Sequence, residues 1–186
     1  MPAPRAESAV ALAVAVAPIV MMGVTGSGKS TIGALLAERL GVPFIDGDDL
    51  HPEANREKMR TGIPLDDDDR APWLDRIGET IAEARRDGVD VVVACSALKR
   101  RYRDALRRKA GDLVIVHLQG ERDVIASRLD ARSHEFMPVT LLASQVDALE
   151  PLGDDEAHLV ADVTLTPDAM VTSIVDRLAP FAKDAR

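Results

Sequence analysis

The sequence predicts an α/β fold: a mostly parallel sheet with helices on both faces, in a single domain. Two observations carry this. Short apolar runs alternate with helical stretches along the chain, the pattern of parallel strands buried on both sides. The first of these runs leads directly into Gly23-Val24-Thr25-Gly26-Ser27-Gly28-Lys29-Ser30. That stretch matches G-x-x-x-x-G-K-[ST], and a strand before it with a helix after it is the setting the pattern requires.

The elements follow in order. Residues 17–22 read as the first buried strand. Residues 31–40 place Ile32, Leu35, Leu36 and Leu40 at helical spacing. Residues 42–45 form a second strand that ends at Asp46. A helix over 52–60 starts with Pro52 in a tolerated first-turn position, and Thr61-Gly62-Ile63-Pro64 breaks it. Residues 70–86 form a longer helix with Trp73, Leu74, Ile77 and Ile81 on one side, stopped by Gly88. A third strand over 89–94 precedes a basic helix over 98–110. A fourth strand over 113–118 is followed by helices over 123–131 and 140–149. A fifth strand over 160–165 and a helix over 167–178 close the chain. Crossovers are expected to be right-handed.

Nothing divides residues 17–186, which read as one domain of ordinary size. Residues 1–16 read as a disordered tail. Ala13-Val14-Ala15 and Ala15-Val16-Ala17 mimic signal-peptide cleavage sites. The apolar run nevertheless continues into the glycine loop, and it is shorter than the ~20 residues a membrane span needs.

The net charge of −8 argues against a nucleic-acid or anionic-membrane partner, both of which select basic surface. Phe44, Trp73, Tyr102, Phe136 and Phe181 are too scattered to form a base-stacking platform. Cys95 is the only cysteine, which excludes an intrachain disulfide and fits a reducing cytoplasm. His51, His117, His134 and His158 share no ligand spacing, so no zinc site is expected.

The chemistry gathers around the glycine loop. Gly23, Gly26 and Gly28 let the backbone curl, so that N–H groups from Thr25 through Thr31, Ser27 included, face one anion. Lys29 supplies charge for the β- and γ-phosphates of ATP, and Ser30 offers a hydroxyl to Mg²⁺. Ligands of parallel sheets bind beyond the carboxyl ends of the strands. Asp46-Gly47-Asp48-Asp49 therefore faces the same crevice. Asp46 and Asp48 alternate at a strand end and point the same way. They can divide two tasks, Asp46 on the metal and Asp48 accepting the proton of an attacking hydroxyl.

Asp66-Asp67-Asp68-Asp69 reads as a solvated charge run, with Asp69 also suited to cap the following helix. Arg70 beside it is suited to bidentate recognition of a carboxylate or phosphate. In Cys95-Ser96-Ala97-Leu98-Lys99, small residues admit a substrate, Ser96 offers a hydrogen bond and Lys99 a charge. Cys95 itself reads as a small buried residue. Arg128 and Arg132 share a helical face before residues 133–138. They fit either a lid over about 125–140 that brings arginines onto the phosphates or a solvated basic face.

These residues alone reach an ATP-dependent kinase of a small hydroxylated metabolite, with a nucleotide-dependent regulatory module as an alternative of another class. Over about residues 19–151 the chain also resembles the gluconate kinase family of P-loop kinases. The resemblance rests on the glycine loop; Asp46-Gly47-Asp48-Asp49-Leu50-His51-Pro52; Asn55; Lys58-Met59; Gly62, Pro64 and Leu65; Asp67; Asp69-Arg70; and Pro72-Trp73-Leu74. It continues in Cys95-Ser96-Ala97-Leu98-Lys99 with Tyr102-Arg103, in Leu141-Leu142 with Ser144-Gln145, and in Leu149-Glu150-Pro151. It implies ATP-dependent phosphorylation of D-gluconate at its 6-hydroxyl by a homodimer. It also implies a five-stranded parallel sheet of the nucleoside-monophosphate-kinase type with a helical lid. His51, Arg56, Arg70 and Lys99 then stand as an anion pocket for a sugar acid. Shikimate and adenylylsulfate kinases are the alternative enzymes. Where the family usually has Gly-His-Phe in the lid, this chain has His134-Glu135-Phe136.

Overall fold

The computed structural model describes residues 17–131 and 139–182. The proposed tail, Arg132 and residues 133–138 lie outside the described residues. The order is β1 (Ile19–Met22), α1 (Lys29–Leu40), β2 (Phe44–Asp46), a 3₁₀ turn (Gly47–Leu50), α2 (Glu53–Arg60) and α3 (Asp67–Arg86). Then come β3 (Val92–Ala94), α4 (Arg100–Ala110), β4 (Val114–Gln119), α5 (Arg122–Ala131), α6 (Val139–Ala148), β5 (His158–Asp162) and α7 (Pro167–Leu178).

The strands form one sheet in the order β2-β3-β1-β4-β5, and every pairing is parallel. β1 explains the burial of both faces. Ile19 and Met21 enter a core shared with Ile32 and Leu36 of α1 and Met170 and Ile174 of α7. Val20 and Met22 enter the other, with Trp73 and Ile77 of α3 and Leu106 of α4. The central strand is thus sealed on both sides, and its carboxyl end delivers the glycine loop to the rim. No helix among the described residues is long and apolar enough to cross a membrane.

Most boundaries fall within two residues of the sequence expectation; β3 starts three residues later, at Val92 instead of 89, and three further differences have a visible cause. α3 begins three residues earlier than expected, because Asp66, not Asp69, is its N-cap. The Asp69 N–H donates to Asp66 Oδ1 at 2.8 Å and the Asp66 N–H to Asp69 Oδ2 at 3.1 Å, a reciprocal capping box. β5 spans His158–Asp162 instead of 160–165. The Thr164 N–H donates to Asp162 Oδ1 at 2.8 Å, which turns the chain out of the sheet. Asp48 is not an alternate residue of a strand end: it lies in the 3₁₀ turn, and its N–H donates to Asp46 Oδ1 at 3.1 Å.

Candidate active site

The glycine loop runs from β1 into α1. Gly26 has φ +77°, and a Cβ added there would come within 2.5 Å of the Leu129 side chain of α5. Both the backbone and the close approach of α5 therefore require glycine. Lys29 Nζ donates to the Val24 carbonyl at 3.0 Å. That carbonyl also accepts the Ser27 N–H at 3.2 Å. Burial lowers the pKa of Lys29, while Asp48 and Asp46 pull it back up. Ser30 and Thr31 are exposed at the start of α1. The Ser27 hydroxyl is buried inside the loop with no hydrogen-bond partner among the described residues.

The turn after β2 is held from below. A Cβ on Gly47 would run into the Ala94 carbonyl oxygen, and Trp73 Nε1 donates to the Gly47 carbonyl at 2.7 Å. Only glycine lets this turn sit flat on β3. The result carries Asp48 to a point where its carboxylate is felt by Asp46, Lys29, Asp49 and Arg70. Desolvation raises its pKa first, Asp46 adds to the rise, and Lys29 and Arg70 oppose it.

The four expected cations of the anion pocket have different fates. His51 is 4% exposed, stacks on Trp73 with ring centroids 4.2 Å apart, and lies 3.3 Å from Asn55 through Nδ1. Desolvation, then Arg70 and Arg56, lower its pKa to about 4. The ring is therefore neutral at pH 7 and adds no charge, contrary to the sequence expectation. Arg56 donates to the His51 carbonyl at 3.0 Å and the Asp49 carbonyl at 2.6 Å, so its guanidinium braces the 3₁₀ turn. Lys99 Nζ is paired with Asp67 at 2.9 Å. Arg70, unlike Arg56 and Lys99, has no carboxylate or carbonyl on its charged group among the described residues; it lies 6.0 Å from the centre of the Tyr102 ring.

The acidic run is not a free solvated stretch. Asp66 and Asp69 form the cap. Asp69 also accepts from Lys58 Nζ at 2.6 Å. Asp67 accepts from Lys99, from the Tyr102 hydroxyl and from Arg101. None of the four pairs with Arg70.

Ser96 is half-buried at the end of β3, within a turn whose next residue, Ala97, has φ +43°. Buried Arg103 secures that turn. It donates to the Ala97 and Leu98 carbonyls at 3.3 and 3.0 Å and pairs with buried Glu156 at 2.7 Å. Burial by itself would raise the Glu156 carboxyl, but hydrogen bonds from Arg103, the Gly153 N–H and Arg107 hold it down at about 2. Cys95 is fully enclosed and its thiol is pushed up to about 12 by burial, as expected of a packing residue.

The shikimate kinase family model matches residues 25–179. A gluconokinase of Arabidopsis thaliana is 43% identical over 176 residues, covering 87% of this chain and 92% of that protein. The thermoresistant gluconokinase of Escherichia coli K12 is 42% identical, covering 84% of this chain and 90% of that protein. The crystal structure of a gluconokinase from Sinorhizobium meliloti 1021 superposes with a TM-score of 0.81 at 47% identity, over 89% of this chain and 93% of that one. The chain belongs to the gluconate kinase family.

In this gluconate kinase family member α5, which carries Arg128, also meets the glycine loop. Arg128 of α5 donates to the Val163 carbonyl. With Ser27, Gly28, Thr31, Leu165 and Met170 it lines a cavity of about 280 Å³ beside the start of α1. Arg128 is thus next to the loop and not on a remote solvated face. The cavity wall from the β5–α7 connection and the start of α7 was not legible in the sequence, since nothing local in Leu165 or Met170 marks it.

Proposed function

We propose that this gluconate kinase family member transfers the γ-phosphoryl group of ATP to the 6-hydroxyl of D-gluconate, giving 6-phosphogluconate and ADP. The observation that carries the reading is the place of Asp48, close enough to feel both the loop lysine and the Arg70 guanidinium, which has no acidic partner among the described residues. One carboxylate between a phosphate anchor and a carboxylate anchor suits an acceptor that is an acid at one end and an alcohol at the other.

The geometry supports the following roles. The loop residues Gly23, Thr25, Gly26, Ser27, Gly28, Lys29, Ser30 and Thr31 form the cradle for the phosphates, with the Thr25 N–H given to Gln145 and the Ser27 N–H to the Val24 carbonyl, and the cavity beside Arg128 takes the nucleoside end. The unsatisfied Ser27 hydroxyl inside the loop suits a site that expects an anion. Arg70 pairs with the gluconate carboxylate, and Ser96 offers a hydrogen bond to a sugar hydroxyl. Asp48 takes the proton of the 6-hydroxyl as its oxygen bonds to phosphorus and the bond to the β–γ bridging oxygen breaks. Arg128, with Arg132, steadies the developing charge.

No group of three or more acidic, His or Cys residues that could hold a metal ion is present among the described residues. Mg²⁺ is commonly held by one or two protein oxygens together with substrate phosphates and water. Ser30 and Asp46 are the residues that would hold it, and it would neutralise phosphate charge. We further place the enzyme in the cytoplasm, acting as a homodimer, with no nucleic-acid or membrane partner.

A panel of gluconate, glucose, shikimate and adenylylsulfate with ATP and Mg²⁺ tests the reading. Gluconate is expected to be phosphorylated, with little transfer to uncharged glucose. Faster phosphorylation of shikimate, adenylylsulfate or glucose would overturn the substrate assignment.

Arg70→Lys keeps the charge but loses the planar fork. KM for gluconate is expected to rise while KM for ATP stays near normal. Steady-state kinetics with each substrate varied in turn decide it, and an unchanged gluconate KM would reduce Arg70 to a packing partner of Tyr102.

A further inference from the structure

We propose that Gln145 is a positioning residue of the glycine loop: its side-chain carbonyl fixes the Val24–Thr25 peptide, whose own carbonyl holds Lys29. The inference rests on the phosphoryl-transfer reading and extends it to a residue far away in sequence. The Thr25 N–H donates to Gln145 Oε1 at 2.6 Å, across 120 positions of chain. The Val24 carbonyl of the same peptide unit accepts from Lys29 Nζ at 3.0 Å. No peptide bond among the described residues is cis. In a planar trans peptide the N–H and C=O point in opposite directions. Gln145 and Lys29 therefore grip one peptide plane from its two sides.

The loop needs such a grip. Gly23 at φ +153° and Gly26 at φ +77° adjoin Val24 and Thr25, so the short segment that carries this peptide is hinged by glycine at both ends. Were the plane to turn over, the carbonyl would leave Lys29 and Ser27, and the Thr25 N–H would lose its acceptor. A hydrogen bond at the N–H also polarises the carbonyl of the same unit and strengthens its hold on the ammonium. Gln145 is delivered from a fixed base. Leu142, one turn earlier on the same face of α6, is 1% exposed in the core around β1 and α1. The bond is thus set by packing of α6 and not by the loop's own sequence.

The test compares Gln145→Met, which keeps length and helix propensity but removes the carbonyl, with Gln145→Glu, which keeps an acceptor. Three quantities are read: the Thr25 amide resonance and its hydrogen exchange in ¹⁵N-labelled protein, the affinity for a non-hydrolysable ATP analogue, and kcat with gluconate. In the Met variant the Thr25 amide is expected to shift to that of a free amide and exchange faster. Its kcat is expected to fall about tenfold, the scale of one hydrogen bond, with gluconate KM unchanged. In the Glu variant the bonded amide resonance is expected to persist and kcat to recover relative to Met. A Met variant with wild-type kcat and an unmoved Thr25 resonance would overturn the proposal. So would equal loss of kcat in both variants with the Thr25 amide unmoved. The amide and the ATP analogue report without any sugar acid. If the wild-type protein fails to phosphorylate gluconate, the substrate reading falls, while the Thr25 amide still decides the role of Gln145.

Discussion

Asp48→Asn is expected to lower kcat by roughly 10²–10⁴-fold, the range for losing a positioned general base, with little change in ATP affinity. The substitution keeps shape and hydrogen-bonding reach and removes only the basic oxygen. The backbone contact that places the residue, from its own N–H to Asp46 Oδ1, does not involve the side chain. Folding and loop geometry are therefore expected to survive. The pH profile gives a second reading. Desolvation and Asp46 raise the Asp48 pKa above the usual carboxylate value. A raised pKa means that the base is protonated, and lost, while the pH is still above the range where an ordinary aspartate protonates. The acid limb of kcat is expected to lie on that higher side, and the residual activity of the Asn variant to lack it. A loss confined to ATP affinity, with kcat intact, would move Asp48 from the proton to the metal.

The parts of this site that could be read from sequence are those built by neighbours in the chain. The loop, its strand and its helix occupy consecutive residues, and the helix cap of Asp66 and Asp69 is a local four-residue pattern. The cap was legible in principle, yet four consecutive aspartates masked which of them was the capping residue. What could not be read is where long side chains end. Lys99 and Arg70 look alike as free cations near a strand end. Tertiary packing gives Lys99 to Asp67, 32 positions away, and leaves Arg70 open. His51 looks like a cationic ligand until burial against Trp73 removes its charge. Asp48 needed the 3₁₀ turn, and that turn exists because Gly47 must clear the carbonyl of Ala94 on another strand. Gln145 stood within the family resemblance, but nothing local in Ser144-Gln145 pointed it at the glycine loop.

Lys29→Ala is expected to cut kcat by roughly 10²-fold or more, the scale of losing one preorganised electrostatic contact in a transition state. The ammonium sits where its own burial disfavours the charge and two aspartates offset that in part. Bound phosphates would add to that restoring field, so the charge is worth most when the γ-phosphoryl is in flight. Removing the side chain leaves the Val24 carbonyl with its bond from the Ser27 N–H at 3.2 Å. The loop therefore keeps an internal tie, and a thermal melt close to wild type is the expected control. Lys29→Arg is expected not to restore turnover. A planar fork is wider than an ammonium and cannot rest on one carbonyl inside so tight a curl. Stopped assays of ADP release with saturating gluconate measure both variants. Near-normal turnover in the Ala variant would mean that the loop does not hold the transferring phosphate, and the kinase mechanism would have to be abandoned with it.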